Sequence, residues 1–130
     1  MKNQYAVLAA ALFATASLLF CAPSDSRAAG YSVTKLARLV ASPGREAELE
    51  DRLRKTVAFV RKAEPGITYK LYRSNKDPAV FLVYEIYPSQ AASDLHSNVT
   101  LPAFYKEYGP RPEGLLARPL EFDVLQPLSD

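Results

Sequence analysis

The sequence predicts an α+β fold of the split βαβ, ferredoxin-like kind, in which an antiparallel sheet carries its helices on one face. Three observations lead there. Hydrophobic periodicity changes along the chain in the order strand, helix, strand, strand, helix, strand, which is the order of that arrangement. Residues 45–63 place Leu49, Leu53, Val57 and Val60 at steps of four, four and three, a single apolar stripe suited to packing on a sheet. Residues 80–87 are apolar or aromatic except for Glu85, as in a central strand covered on both faces.

The chain has 130 residues, 48% of them hydrophobic, enough for one domain. Part of that fraction belongs to a leader. Lys2 precedes the apolar run 6–20, followed by Ser24-Asp25-Ser26-Arg27 and the small residues Ala28 and Ala29, the order of a secretory signal peptide cut after Ala28. The run is short for a bilayer-spanning helix, which favours cleavage over an anchor. Acylation at Cys21 is a third possibility, opposed by Phe20 where a small residue is required. The expectation is therefore a signal peptide over 1–28, a domain over 29–130, and a bacterial protein that is periplasmic or secreted, with no stable membrane anchor. Without Lys2, Arg27 and Asp25 the chain keeps 14 basic and 13 acidic residues, interleaved, which argues against nucleic acid as a partner. It also has no cysteine, hence no disulfide and no thiol nucleophile.

Residues 31–40 alternate loosely and suit a first strand. Ser42-Pro43-Gly44 punctuates, with Ser42 as a helix cap and Pro43 in the first turn. The helix that follows carries i,i+4 pairs of Glu48 with Arg52, Glu50 with Arg54, and Asp51 with Lys55. Glu64-Pro65-Gly66 ends it. Residues 67–73 alternate with Ile67, Tyr69 and Leu71 on one side, a half-buried strand, and residues 74–78 form a polar turn. After the central strand, Ser89 can cap a helix whose inner stripe is Ala92, Leu95, His96 and Val99. Residues 101–108 form a short helix with Phe104 and Tyr108 on one side, which the Gly- and Pro-rich segment 109–114 cannot continue. The last strand, 115–125, contains Pro119 and so belongs at an edge or holds a bulge.

One histidine and no mature cysteine leave a conventional zinc site without ligands. No GxGxxG, Walker loop or GxSxG is present, so neither a nucleotide cofactor nor a serine hydrolase is indicated. His96 is the first candidate for chemistry, because imidazole titrates near neutrality and can accept a proton from a phenol; its alternative role is a buried structural hydrogen bond. Glu85 can orient His96 or contact a polar ligand group, or instead form an ion pair with Arg73 or Arg118. Tyr69, Tyr72, Tyr84 and Tyr87 offer aromatic walls with polar tips, or simply core.

Taken in order, Glu64-x-Gly66, Tyr69-x-Leu71, Asp77-Pro78, Phe81, Glu85-x-Tyr87, Ala91 and His96 resemble the antibiotic biosynthesis monooxygenase (ABM) family. The resemblance covers residues 32–125. It implies a homodimer in which two sheets pack as a dimeric α/β barrel, and cofactor-independent oxygenation of quinols or related phenols with molecular oxygen. On this reading His96 is the proton acceptor, Glu85 orients it, and Tyr69, Tyr87 and Phe104 line the pocket for a small aromatic substrate. The family is mixed in activity, and this chain departs from its better-defined branches. Tyr87 stands where a tryptophan often follows the strand glutamate, and the features of the haem-degrading branch are missing, so haem breakdown is not implied. The competing reading is a non-catalytic dimeric module that binds a small aromatic ligand. The two differ in whether His96 and Glu85 converge on an open cavity.

Overall fold

A computed structural model describes residues 32–128; the signal peptide expected over 1–28 lies outside them. Four strands, β1 (Val33–Val40), β2 (Thr68–Arg73), β3 (Val80–Tyr87) and β4 (Glu121–Leu125), form one antiparallel sheet in the order β2-β3-β1-β4. This is the split βαβ order, with β1 and β3 central and β4 at an edge; Pro119, expected inside the last strand, lies before it. The last strand is shorter than its apolar pattern. Residues before it make a 3-10 turn, Pro112–Leu115, and Leu116 joins the sheet only through a bridge to Ala41.

Helix α1 (Glu46–Ala63) lies on one face of the sheet and buries the predicted stripe of Leu49, Leu53, Val57 and Val60, with Thr56 added. That stripe packs against Ala37, Leu39, Tyr69, Phe81 and Val83, which alternation in β1, β2 and β3 turns to the same side. The start of α1 differs from expectation. Ser42 does not cap it with its side chain; its carbonyl accepts from the Arg45 amide, closing a turn that needs Gly44 at φ +80°. Glu50–Arg54 and Asp51–Lys55 form as predicted. Glu48 instead pairs with Arg45, because Arg52 is taken up elsewhere.

Among the described residues, no helix covers the opposite face of the sheet. Leu36, Leu82, Tyr84 and Ile86 lie half-buried there, so the cover expected on both faces of β3 is complete on one only.

The second helical region is one rod in three parts: α2 (Gln90–Leu95), a π-helical turn (His96–Thr100) and α3 (Leu101–Tyr108). Ser89 caps it, its hydroxyl accepting from the Ala92 amide at 3.2 Å. The rod's buried side is the expected one only in part: His96 is inside as the stripe predicted, and Leu95 and Val99 are not. Ser93, His96, Thr100 and Phe104 face the interior, whereas Leu95 and Val99 are 51% and 56% exposed. The apolar residues pointed to a stripe about one residue out of phase with the one that His96 takes to reach its partner inside, Glu64.

Phe81 sits at the centre of the buried layer, with 1% of its surface accessible. Phe81→Ala is expected to cost about 3–5 kcal/mol of stability, read from urea unfolding at fixed protein concentration. A loss under about 1 kcal/mol would mean that the sheet does not rest on this layer.

Candidate functional site

The interior partner of His96 is Glu64, the residue that closes α1. Its amide donates to the Val60 carbonyl, and its side chain turns under the rod to place Oε2 3.1 Å from His96 Nδ1. Both groups are buried, His96 to 2% exposure. A proton on Nδ1 donated to this carboxylate fixes the tautomer and leaves Nε2 as the unprotonated nitrogen. The ring lies between two tyrosines, with centroids 5.1 Å from Tyr69 and 5.3 Å from Tyr87.

Glu85 is in the same layer but bonds differently. Its Oε2 accepts from the Tyr87 hydroxyl at 2.6 Å. The carboxylate that orients His96 is therefore Glu64, not Glu85, which corrects the sequence expectation. The ion-pair alternative for Glu85 fails as well, since Arg73 pairs with Glu50 and Arg118 with Glu121. Burial raises the Glu85 carboxyl above its ordinary 4.5, against the opposing effects of the Tyr87 hydrogen bond and the Lys35 charge. Burial also raises the Tyr69 and Tyr87 phenols.

A cavity of about 100 Å³ opens between the helix-bearing face of the sheet, α3 and the 3-10 turn. Tyr69 and Glu85 line it, with Tyr105, Thr56, Arg111 and apolar side chains. Neither His96 nor Phe104 does. Phe104 is fully buried in a separate aromatic group, 5.4 Å from Phe59 and stacked on Tyr108 at 4.9 Å. Of the five residues singled out in the sequence, His96, Tyr69, Tyr87 and Glu85 are thus brought together, two of them at the cavity wall, and Phe104 stands apart.

Sequence reasoning missed two members. Glu64 was read as the end of a helix and as part of the family pattern but given no role in the site, although an acid after Arg61 and Lys62 at a helix C-terminus is electrostatically misplaced unless something meets it. Lys35 was hidden in a loosely alternating strand. It is opposite Glu85 in the β1–β3 register, and its ammonium lies 5.3 Å from the ring centroids of both Tyr87 and Phe122. A lysine at an inward position of a strand is the signal that could have marked it.

Among the described residues, no group of three or more His, Cys, Asp or Glu side chains is placed to hold a metal ion, and no helix is long and apolar enough to cross a membrane. With the fold and this layer in place, comparison with known proteins is informative. The family model for antibiotic biosynthesis monooxygenase matches residues 32–100, which includes Glu64, Tyr69, Glu85, Tyr87 and His96. The chain belongs to the antibiotic biosynthesis monooxygenase family. Its fold is shared with Rv0793 from Mycobacterium tuberculosis at 28% identity and a TM-score of 0.63, covering 76% of this chain and 97% of that one. It is also similar to PA3566 from Pseudomonas aeruginosa, at 29% identity and a TM-score of 0.62 over 75% and 95% of the two chains. A Caulobacter crescentus structure named "putative antibiotic biosynthesis monooxygenase" matches at 25% identity and a TM-score of 0.63, over 75% and 91%. No curated protein sequence matches the chain. The ABM match ends at Thr100, so α3, the 3-10 turn and β4, which close the cavity, lie beyond it.

Burial lowers the His96 imidazole below its ordinary 6.5, with the Glu64 charge opposing. A depressed value means that the unfolded chain takes up this proton first. The associated stability is present above about pH 6.5 and is lost as pH falls through the lower folded value. His96→Gln is expected to flatten the difference in unfolding free energy between about pH 7 and pH 5 relative to the parent protein. Parallel curves over that range would show that His96 is not held neutral by burial.

Proposed function

We propose that this ABM-family chain is a cofactor-independent monooxygenase acting on quinols or related phenolic aromatics, with molecular oxygen as co-substrate. The observation that carries the reading is a buried carboxyl group of raised pKa, Glu85, in the wall of a cavity lined mainly by aromatic and apolar side chains, with Thr56, Arg111 and Glu113 as its other polar members. A carboxylate tuned towards neutrality by burial accepts a phenolic proton more effectively than one with an ordinary pKa. An electron-rich phenolate then reduces dioxygen directly, one oxygen atom entering the ring and the other leaving as water. The protein's contribution is the base, the orientation and the exclusion of solvent.

The roles expected for His96 and Glu85 are exchanged in this reading. Glu85 reaches the cavity and takes the proton. His96, enclosed between Tyr69 and Tyr87 and tied to Glu64, holds the two tyrosines and through Tyr87 the Glu85 carboxylate. A binding module for small aromatics would share the cavity but would not need a proton acceptor in its wall.

We also read the uncovered sheet face as the contact between two copies in a homodimer. Leu36, Leu82, Tyr84 and Ile86 supply the apolar surface, and a domain of this size gains from burying it. Export to the periplasm or beyond, by a cleaved leader over 1–28, belongs to the same proposal.

Oxygen uptake against a panel of hydroquinones and naphthalenediols, with no cofactor added, tests the activity. The expected result is uptake above the spontaneous rate, with kcat lowered by about a hundredfold or more in Glu85→Gln and a rate that rises with pH as Glu85 ionises. Uptake equal to the blank across the panel would overturn the oxygenase reading in favour of the binding module. Sedimentation velocity tests the assembly. A dimer is expected for the parent chain and a shift to monomer for Leu82→Glu, and a monomeric parent would remove the assembly proposal.

A further inference from the structure

Arg111 stands where two depressions meet. With Pro112 it lines both the cavity under the sheet and a larger groove, about 390 Å³, between α1 and the segment that follows α3. The groove is unevenly charged. Arg45, Arg52, Lys55 and Arg111 line it against Glu48 and Asp51. Both acids are already engaged, Glu48 with Arg45 at 2.6 Å and Asp51 with Lys55 at 2.7 Å. Arg52 is engaged too, its guanidinium donating to the carbonyls of Tyr108, Gly109 and Pro110 while lying 5.1 Å from the Phe104 ring centroid.

Arg111 is the cation left over. Among the described residues it forms no ion pair, and Glu113, which shares the cavity wall, is not within pairing distance. Its guanidinium lies 5.5 Å from the ring centroid of Tyr105, itself a cavity residue. Stacking on an aromatic ring uses the face of a guanidinium and leaves its edge, with the N–H groups, available for a planar anion. The surplus of positive charge along the groove also attracts anions towards that point.

We propose that Arg111 anchors an anionic substituent of the substrate, a carboxylate or phenolate remote from the ring carbon that reacts, so that the site selects anionic over neutral aromatics. The inference deepens the reading of the cavity as the substrate site and rests on it. A charge-assisted, two-point contact fixes the ring's orientation as well as its affinity, which a cavity with mainly apolar walls cannot do.

Quenching of tyrosine fluorescence by 2-naphthoate and by its neutral counterpart naphthalene-2-methanol tests this without turnover. The parent protein is expected to prefer the carboxylate, and Arg111→Gln to reduce the ratio of the two affinities by about tenfold. Arg111→Lys, which keeps the charge but loses the planar fork, should fall between them. No preference in the parent, or an unchanged ratio in Arg111→Gln, would overturn the proposal. A ratio that collapses in Arg111→Gln while no quinol is oxidised would sustain the anion anchor and sink the oxygenase reading, so the two fail separately.

Discussion

A carboxylate at the C-terminal end of a helix faces the negative pole of that helix, and burying it there is unfavourable unless a proton donor meets it. Glu64 occupies that position at the end of α1, and His96 meets it from the second helical rod. Because both side chains are buried, the contact sets the rotation of the rod. Ser93, Thr100 and Phe104 turn inward with His96, and Leu95 and Val99 turn out. The imidazole in turn fills the space between Tyr69 on β2 and Tyr87 on β3, and Tyr87 holds Glu85. One polar contact between helix and rod thus reaches the cavity wall through aromatic packing rather than through a continuous hydrogen-bond chain.

The sheet and α1 were legible in the sequence because their periodicities are strong and unambiguous, period two around Tyr69 and a four-four-three stripe from Leu49 to Val60. The second rod was legible in extent and misread in phase. His96 was placed on the inner face together with Leu95 and Val99, which hydrophobicity favours, whereas the structure turns those two out and lets His96 reach a buried carboxylate. The π-helical turn at His96–Thr100 has no simple sequence mark, since it depends on fitting Ser93, His96 and Phe104 to one interior surface. For the site, His96, Glu85, Tyr69 and Tyr87 were found, whereas Lys35 and the partnership of His96 with Glu64 were not. Glu64 is 32 positions from His96, beyond the reach of any local pattern.

The two faces of the sheet serve different ends. The covered face is uneven in chemistry, apolar under α1 and polar under the rod, where Lys35, Glu85, Tyr69 and Tyr87 gather. Placing ionisable groups there costs stability that the apolar half must offset, a common arrangement at sites that do chemistry. Antiparallel alternation lets one strand supply both: on β3, Phe81 and Val83 belong to the apolar half and Glu85 and Tyr87 to the polar half, on the same side of the same strand.

The clamp made by Arg52 bears on the cavity wall. The carbonyl of Tyr108, the last residue of α3, and the two carbonyls that follow it are satisfied by a side chain of α1 more than fifty positions earlier in the sequence. The end of α3 is thus complete only where α1 is docked beside it, a contact that closes a long loop of chain. The same clamp holds the start of the segment that carries Arg111, since the carbonyls of Gly109 and Pro110 lead directly into that residue. One arginine on α1 therefore ties the position of Arg111, at the cavity wall, to the seating of the first helix.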